Sequence, residues 1–255
     1  MSPGIGFRVD RLRVSYGGHR VLDDTTGAFH AGRMSAIVGP NGAGKSTLVK
    51  AMLGLIPVDR GTVTLFGDPV RRHRHRIAYV PQRSDIDWSY PATVAEVTGM
   101  GRYPLGRLWR RTSARDRERV RDALQTVSLA GFEDRAIGAL SGGQQQRVFL
   151  ARAIAQEAAV VVLDEPFAAI DAVTESLLWR VLAEMAQAGK LVIVVHHGLD
   201  AVAERFDDVA ILSGRLVACG SVASTLTERN IAIAYRRLPR ASEPGAVPRA
   251  FAARH

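Results

Sequence analysis

Cysteine is nearly absent from this 255-residue chain: Cys219 stands alone, so no intrachain disulfide can form and a cytosolic setting is expected. It lies in a strand-like run, Arg215–Gly220, where a small buried residue is a better reading than a reactive thiol. Long apolar runs are also missing. The most apolar stretches, Ala158–Leu163 and Leu191–Val195, are far too short to cross a bilayer. Work at a membrane would therefore need another chain to span it. The opening Met1-Ser-Pro-Gly-Ile-Gly6 has neither the charged nor the apolar block of a signal peptide. Lysine is scarce as well: only Lys45, Lys50 and Lys190 occur, and arginine supplies the rest of the 34 basic residues. The net charge of +9 favours anionic partners such as nucleotides, nucleic acid or an acidic membrane face. An arginine preference on solvated faces explains it equally well. No internal repeat is evident.

Short β-type runs alternate with helical ones, which predicts an α/β fold with a mixed, mainly parallel sheet. Phe7–Tyr16 alternates as a strand and ends at Gly17-Gly18. Met34–Val38 reads as a buried strand entering a glycine loop, followed by a helix over about Lys45–Leu53. Thr62–Phe66, Ile77–Val80, Val160–Leu163 and Leu191–Val195 are further strands. A helix between the last two places Leu177, Leu178, Val181, Leu182 and Met185 on one face. Between about 84 and 157 the strand signals vanish. Ser113–Val127 and Gln144–Gln156 read as helices of a subdomain inserted in the core. Beyond Glu228 no clear periodicity is visible. The domain is expected to span 1–235, with a flexible basic tail over 236–255.

Three motifs carry chemistry. Gly39-Pro40-Asn41-Gly42-Ala43-Gly44-Lys45-Ser46-Thr47 satisfies G-x-x-x-x-G-K-[ST] between a strand and a helix, the context that makes a phosphate loop credible. Phosphate oxygens need many short donors at once, and glycines let backbone N–H groups turn inward at a helix N-terminus. Lys45 can reach the β- and γ-phosphates, while Ser46 offers a hydroxyl to Mg²⁺. Val160-Val-Val-Leu-Asp164-Glu165-Pro166 is an apolar strand ending in two acids. Downstream of a phosphate loop, Asp164 suits the metal and Glu165 the attacking water. Without that loop the pair would read as a solvated turn. Leu140-Ser141-Gly142-Gly143-Gln144 precedes a helix. Alone it is an N-cap and a flexible turn; functionally it offers a second anion site.

Together, in this order, the three motifs resemble the ATP-binding cassette (ABC) ATPase superfamily, over roughly residues 7–225. The resemblance implies a P-loop NTPase core with an N-terminal antiparallel β portion, and a head-to-tail dimer. ATP would then lie between one copy's phosphate loop and the other's Leu-Ser-Gly-Gly-Gln. By position, Tyr16 resembles the aromatic that stacks on adenine, and Gln82 the hinge glutamine that approaches Mg²⁺ and the attacking water. His197, in Val194-Val-His-His197, resembles the switch histidine that senses γ-phosphate. Strand alternation puts the adjacent His196 on the opposite face. Asp171 resembles the aspartate that contacts the dimer partner, although Ala169-Ile-Asp171 departs from the commoner Ser-Ala-Leu-Asp wording; it also suits an N-cap for a helix over Thr174–Gln187.

Arg83–Pro91, Gly99–Tyr103, Ser141–Arg152 and the Val-Val-His-His switch are similar to subunits of the manganese/zinc/iron importer group. That similarity implies an ATPase, with ATP and Mg²⁺ as cofactors, peripheral on the inner face of the cell membrane. Its partners would be a second cassette, an integral permease and, indirectly, a substrate-binding protein. Haem or iron-siderophore import is the alternative. A non-transport ABC ATPase acting on nucleic acid is disfavoured, because only about a hundred residues, without sustained heptads, separate the phosphate loop from Leu-Ser-Gly-Gly-Gln. A regulatory GTPase would need an Asn-Lys-x-Asp base-reading motif, which the chain lacks. Arg71–Arg76 reads as a solvated basic loop facing lipid phosphates, since dense arginine repels cations.

Overall fold

The structure, a computed structural model, describes residues 4–103 and 113–236. In chain order the elements are β1 (Ile5–Tyr16), β2 (His19–His30), β3 (Met34–Val38), α1 (Lys45–Met52), β4 (Arg60–Leu65), β5 (Asp68–Pro69) and β6 (Ile77–Val80). The helices α2 (Val94–Gly99), α3 (Ala114–Thr126) and α4 (Gly142–Ala155) follow. The chain then alternates β7 (Val160–Asp164), α5 (Ala172–Gln187), β8 (Leu191–Val195), α6 (Leu199–Arg205), β9 (Asp208–Leu212) and β10 (Leu216–Ser221), and ends on α7 (Val222–Thr225) and α8 (Glu228–Arg236).

The strands form two sheets. The larger has the order β10-β9-β3-β8-β7-β6, parallel throughout except where β10 pairs with β9. The smaller is antiparallel, β2-β1-β4-β5. Strands β3, β7 and β8 are buried at every residue, as expected where both faces of a parallel sheet are covered. Alternation sends Ile37, Val162, Ile193 and Leu212 towards α1 and the antiparallel sheet, where Phe7, Leu22, Phe29, Leu48 and Met52 complete a core. Val38, Leu163, Val194 and Ile211 face the other way, into a core with α4 and α5 (Val148, Leu150, Leu178, Leu182). The central sheet is thus held between two apolar layers. Its strand ends are fixed relative to each other, which is what a site spread over several loops requires.

Two expectations need correcting. Strand β2 was not anticipated; its Asp23, Asp24 and Thr26 interrupt the apolar pattern because one face of this sheet edge meets solvent. The chain past Glu228 is also not aperiodic. It forms α8, whose Ala234 is fully buried, and the Thr227 hydroxyl accepts the Asn230 N–H at 3.3 Å near its start. The basic tail from 237 onward lies outside the described residues. Among the described residues between 84 and 157, regular structure is helical apart from one isolated bridge, Thr93–Ala136. No described helix is long and apolar enough to cross a membrane.

Candidate functional site

The loop from β3 to α1 can hold its shape only with glycine at key points. A Cβ on Gly39 would overlap the Leu212 carbonyl oxygen, so the loop lies directly on the end of β9. Gly44 sits at φ +95 as the N-cap of α1 and provides no side-chain cap. Helices α2, α3 and α4 all close their N-termini with a capping box, from Thr93/Glu96, Ser113/Asp116 and Ser141/Gln144. Helix α1 has neither a cap nor an acid in its first turn, so its amides and positive dipole end remain open to an anion.

Lys45 is buried beneath this loop, where its ammonium donates to the carbonyls of Gly39 at 3.0 Å and Pro40 at 3.1 Å. Burial lowers its pKa, and the nearby Glu165 and Asp164 pull it back up. Asn41, Gly42, Gly44, Lys45, Ser46 and Thr47 line one wall of a cleft of about 560 Å³. Ala43 is buried behind it, and its N–H closes a turn on the Pro40 carbonyl at 3.1 Å.

Gln82, Glu165 and His197 line the same cleft. They come from the ends of β6, β7 and β8, neighbouring parallel strands whose C-terminal ends lie side by side. Glu165 follows β7 in the left-handed region at φ +52, a conformation a non-glycine residue holds only where its surroundings impose it. Its Oε2 accepts from Gln82 Nε2 at 3.0 Å, and its Oε1 lies 2.7 Å from His197 Nε2. Asp164, one residue earlier, is 1% exposed, and neither carboxylate oxygen has a hydrogen-bond partner of good geometry. Burial raises its pKa, with the Ser46 hydroxyl beside it acting in the opposite direction. A buried carboxylate with open lone pairs beside a serine hydroxyl is a set of hard oxygen donors suited to Mg²⁺. No cluster of three or more His, Cys, Asp or Glu able to hold a metal occurs among the described residues, so such an ion would complete its shell with phosphate oxygens and water.

The remaining expected residues lie elsewhere. None of Ser141, Gly142, Gly143, Gln144 and Asp171 lines the cleft. Ser141 caps α4: its exposed hydroxyl accepts the Gln144 N–H at 3.3 Å, which leaves its own hydrogen free to donate. Asp171 caps α5, with Oδ1 accepting from Thr174 N–H at 2.9 Å. It packs against Gly143, where a Cβ would stand 3.0 Å from Asp171 Oδ2. Tyr16 ends β1 opposite His19 and is 46% exposed, an open aromatic face at the mouth of the first hairpin. Arg83 was singled out in the sequence only as the start of the Arg83–Pro91 segment, with no role at the site. Next to Gln82, it donates to Gln145 Oε1 at 3.0 and 3.3 Å and lies against Gly142, joining the Gln82 segment to the start of α4. Only its adjacency to Gln82 could have flagged it.

Comparison with known proteins places this geometry in context. The family model described as ABC transporter matches residues 22–168. The manganese transport system ATP-binding protein MntB of Listeria monocytogenes is 46% identical over 237 residues, covering 93% of this chain and 99% of its own. The zinc transport system ATP-binding protein TroB of Treponema pallidum is 47% identical over 229 residues, covering 89% of this chain and 86% of its own. Among solved structures, an ATP-binding cassette of an ABC transporter in its ADP conformation superposes with a TM-score of 0.77. It is 24% identical and covers 92% of this chain and 99% of that one, a likeness of fold.

Proposed function

Because this chain belongs to the ABC transporter family and is an ATP-binding, ATP-hydrolysing cassette, we propose that it powers import of a divalent transition metal, manganese or zinc, through a separate membrane permease. The observation that carries the reading is a division of donors. One place on the chain gathers an open helix N-terminus, Lys45, Gln82, Glu165 and His197, while the free hydroxyl of Ser141 and the glycine amides beside it stand at another. A triphosphate bound to the first set keeps donors unsatisfied on its outer side. A second copy packed head to tail brings its Ser141–Gln144 to those oxygens, with Asp171 beside them. ATP then binds the closed pair more tightly than the open one, and hydrolysis removes that preference.

Within the cleft, the α1 amides and Lys45 hold the phosphates once the ammonium exchanges the Gly39 and Pro40 carbonyls for them. Ser46, Asp164 and Gln82 are the residues that would hold Mg²⁺, which when bound supplies charge neutralisation at the phosphates. Glu165 orients the attacking water and accepts its proton as the water oxygen bonds to the γ-phosphorus and the β–γ bridging bond breaks. His197 and Gln82 hold the two Glu165 oxygens and leave the carboxylate little freedom to turn away. Tyr16 offers its exposed face to adenine.

The permease is expected at a cavity of about 820 Å³ between the turn after α1, β6 and the segment after α2, bordered by Leu55, Tyr79, Met100 and Tyr103. Leu55 and Tyr103 are 58% and 62% exposed there, apolar surface that a partner would cover. The cassette would then sit on the inner face of the membrane, and a substrate-binding protein would act on it indirectly. Identities of 46–47% to subunits named for manganese and zinc transport support the choice of cargo. Reconstitution with its cognate permease, in vesicles loaded with MgATP, tests the proposal. Mn²⁺ or Zn²⁺ supplied outside with its binding protein should stimulate hydrolysis and accumulate inside. Hydrolysis indifferent to both ions refutes the cargo, and failure to hydrolyse ATP refutes the whole reading.

A further inference from the structure

His196 precedes His197 but has no part in the chemistry above. Its ring lies among Phe167, Trp179 and Phe206, with centroid separations of 5.5, 5.8 and 6.1 Å. Phe167 and Trp179 stack at 4.0 Å, and Phe206 meets Trp179 edge-on at 5.5 Å. This cluster spans both halves of the catalytic contact. Phe167 is two residues beyond Glu165, and His196 is one residue before His197.

Two further bonds hold His196. Its backbone N–H donates to the Ile37 carbonyl at 3.1 Å, extending the β8–β3 pairing past the end of the strand. Its Nδ1 accepts the backbone N–H of Gly198 at 2.9 Å. An accepting Nδ1 requires the neutral ring with its proton on Nε2, and burial of the ring lowers its pKa in the same sense. Gly198 is the N-cap of α6, and a Cβ there would approach His196 Cε1 to 3.2 Å, so glycine leaves room for the ring.

We propose that His196 is a positioning residue for hydrolysis: anchored in the aromatic cluster and bonded to Gly198, it fixes the backbone on both sides of His197 so that His197 Nε2 meets Glu165. The proposal rests on the assignment of Glu165 and His197 made above. His197 needs such help. Its side chain is 48% exposed, so packing does little to select its rotamer, and the 2.7 Å approach to Glu165 depends on where the backbone directs it. A loop tied at residue 196 to the sheet and the aromatic cluster, and at residue 198 to the 196 ring, has little freedom left at residue 197. Small displacements at a reacting group cost much in rate, and a shift of about 1 Å can cost on the order of 100-fold.

Two substitutions separate the hydrogen bond from the packing. His196→Phe keeps an aromatic ring in the cluster and removes the acceptor. His196→Asn removes the ring and keeps an acceptor, since an asparagine oxygen commonly takes the N–H two residues on. In the full-length chain, with unfolding temperature as a check on integrity, His196→Phe is expected to lower kcat roughly 10–100-fold. Binding of a fluorescent ATP analogue should stay within about twofold, because the phosphate loop is untouched. His196→Asn should recover most of the lost kcat even if its Tm falls. Full activity in His196→Phe overturns the proposal. So does an equal loss of kcat in both variants, which would assign the effect to packing. If His196→Phe fails to fold, His196→Asn and His196→Ala decide: the proposal requires Asn to exceed Ala in kcat, and equality refutes it. A wild-type chain that neither binds nor hydrolyses ATP would instead refute the parent assignment.

Discussion

Replacing Asp164 by asparagine should stabilise the nucleotide-free protein while abolishing its response to MgATP. Asp164 is 1% exposed, and both of its oxygens lack a partner of good geometry. A buried ionised carboxylate in that state costs several kcal/mol, which the Ser46 hydroxyl and the Lys50 charge offset in part, and the adjacent Glu165 adds to the cost. Asparagine removes the charge but leaves a buried amide that is itself incompletely satisfied, at about 1–3 kcal/mol. The net gain is therefore on the order of 1–2 kcal/mol, since the amide retains part of the original penalty. For a chain of this size that corresponds to a rise in Tm of about 2–8 °C. The pH dependence gives the sign. Burial raises the Asp164 pKa in the fold above its ordinary value of 3.8. Its contribution is then most favourable below the unfolded-state pKa and is lost as pH rises through the folded value. The advantage of Asp164→Asn should accordingly be full at pH 7–8 and shrink as the pH falls towards the carboxylate range. Differential scanning fluorimetry across this range, with and without MgATP, measures both effects. Wild type should gain stability from MgATP by mass action, and Asp164→Asn should gain little. An Asp164→Asn protein less stable than wild type at pH 7 without nucleotide, or a difference unchanged by pH, would refute the reasoning.

Glu165→Gln keeps the shape of the side chain and removes the proton acceptor. ATP binding should persist while turnover falls about 10²–10⁴-fold, and near-normal phosphate release in a single-turnover assay would remove Glu165 from its role. Mixing a Ser141→Arg chain with a Lys45→Ala chain should leave one intact composite site per heterodimer. ATP-dependent association of that pair, but of neither variant alone, is the expected outcome in analytical ultracentrifugation, and its absence would count against the head-to-tail arrangement.

The strands most easily read from the chain were those buried on both faces. Met34–Val38, Ile77–Val80 and Leu191–Val195 appear in the structure with the bounds their apolar runs suggested, because a covered parallel strand admits few polar side chains, the buried Ser35 of β3 being an exception. Strand β2 was hidden by the same logic in reverse: at the edge of the antiparallel sheet it can carry Asp23, Asp24 and Thr26. Helix α2 is six residues long, too short for periodicity to declare itself, and only its capping box marks it. Helix α8 is also brief, and few of its residues reach the core.

Residue order alone was enough to single out the glycine loop before α1, the acid pair at the end of β7 and the Ser141 cap of α4. Each is a local device in which a turn, a strand end or a helix start carries its own donors or acceptors within a few positions. Tertiary structure decided what those devices share. It brought Gln82, Glu165 and His197 within 3.0 Å contacts across three strands, and it joined Arg83 to Gln145 from 62 residues away. Strand alternation already set the two adjacent histidines on opposite faces; the fold supplied the aromatic cluster that receives His196 and the cleft that receives His197. Such meetings depend on which strands neighbour each other in the sheet, and strand order is set by packing over the whole domain rather than by any short stretch of chain.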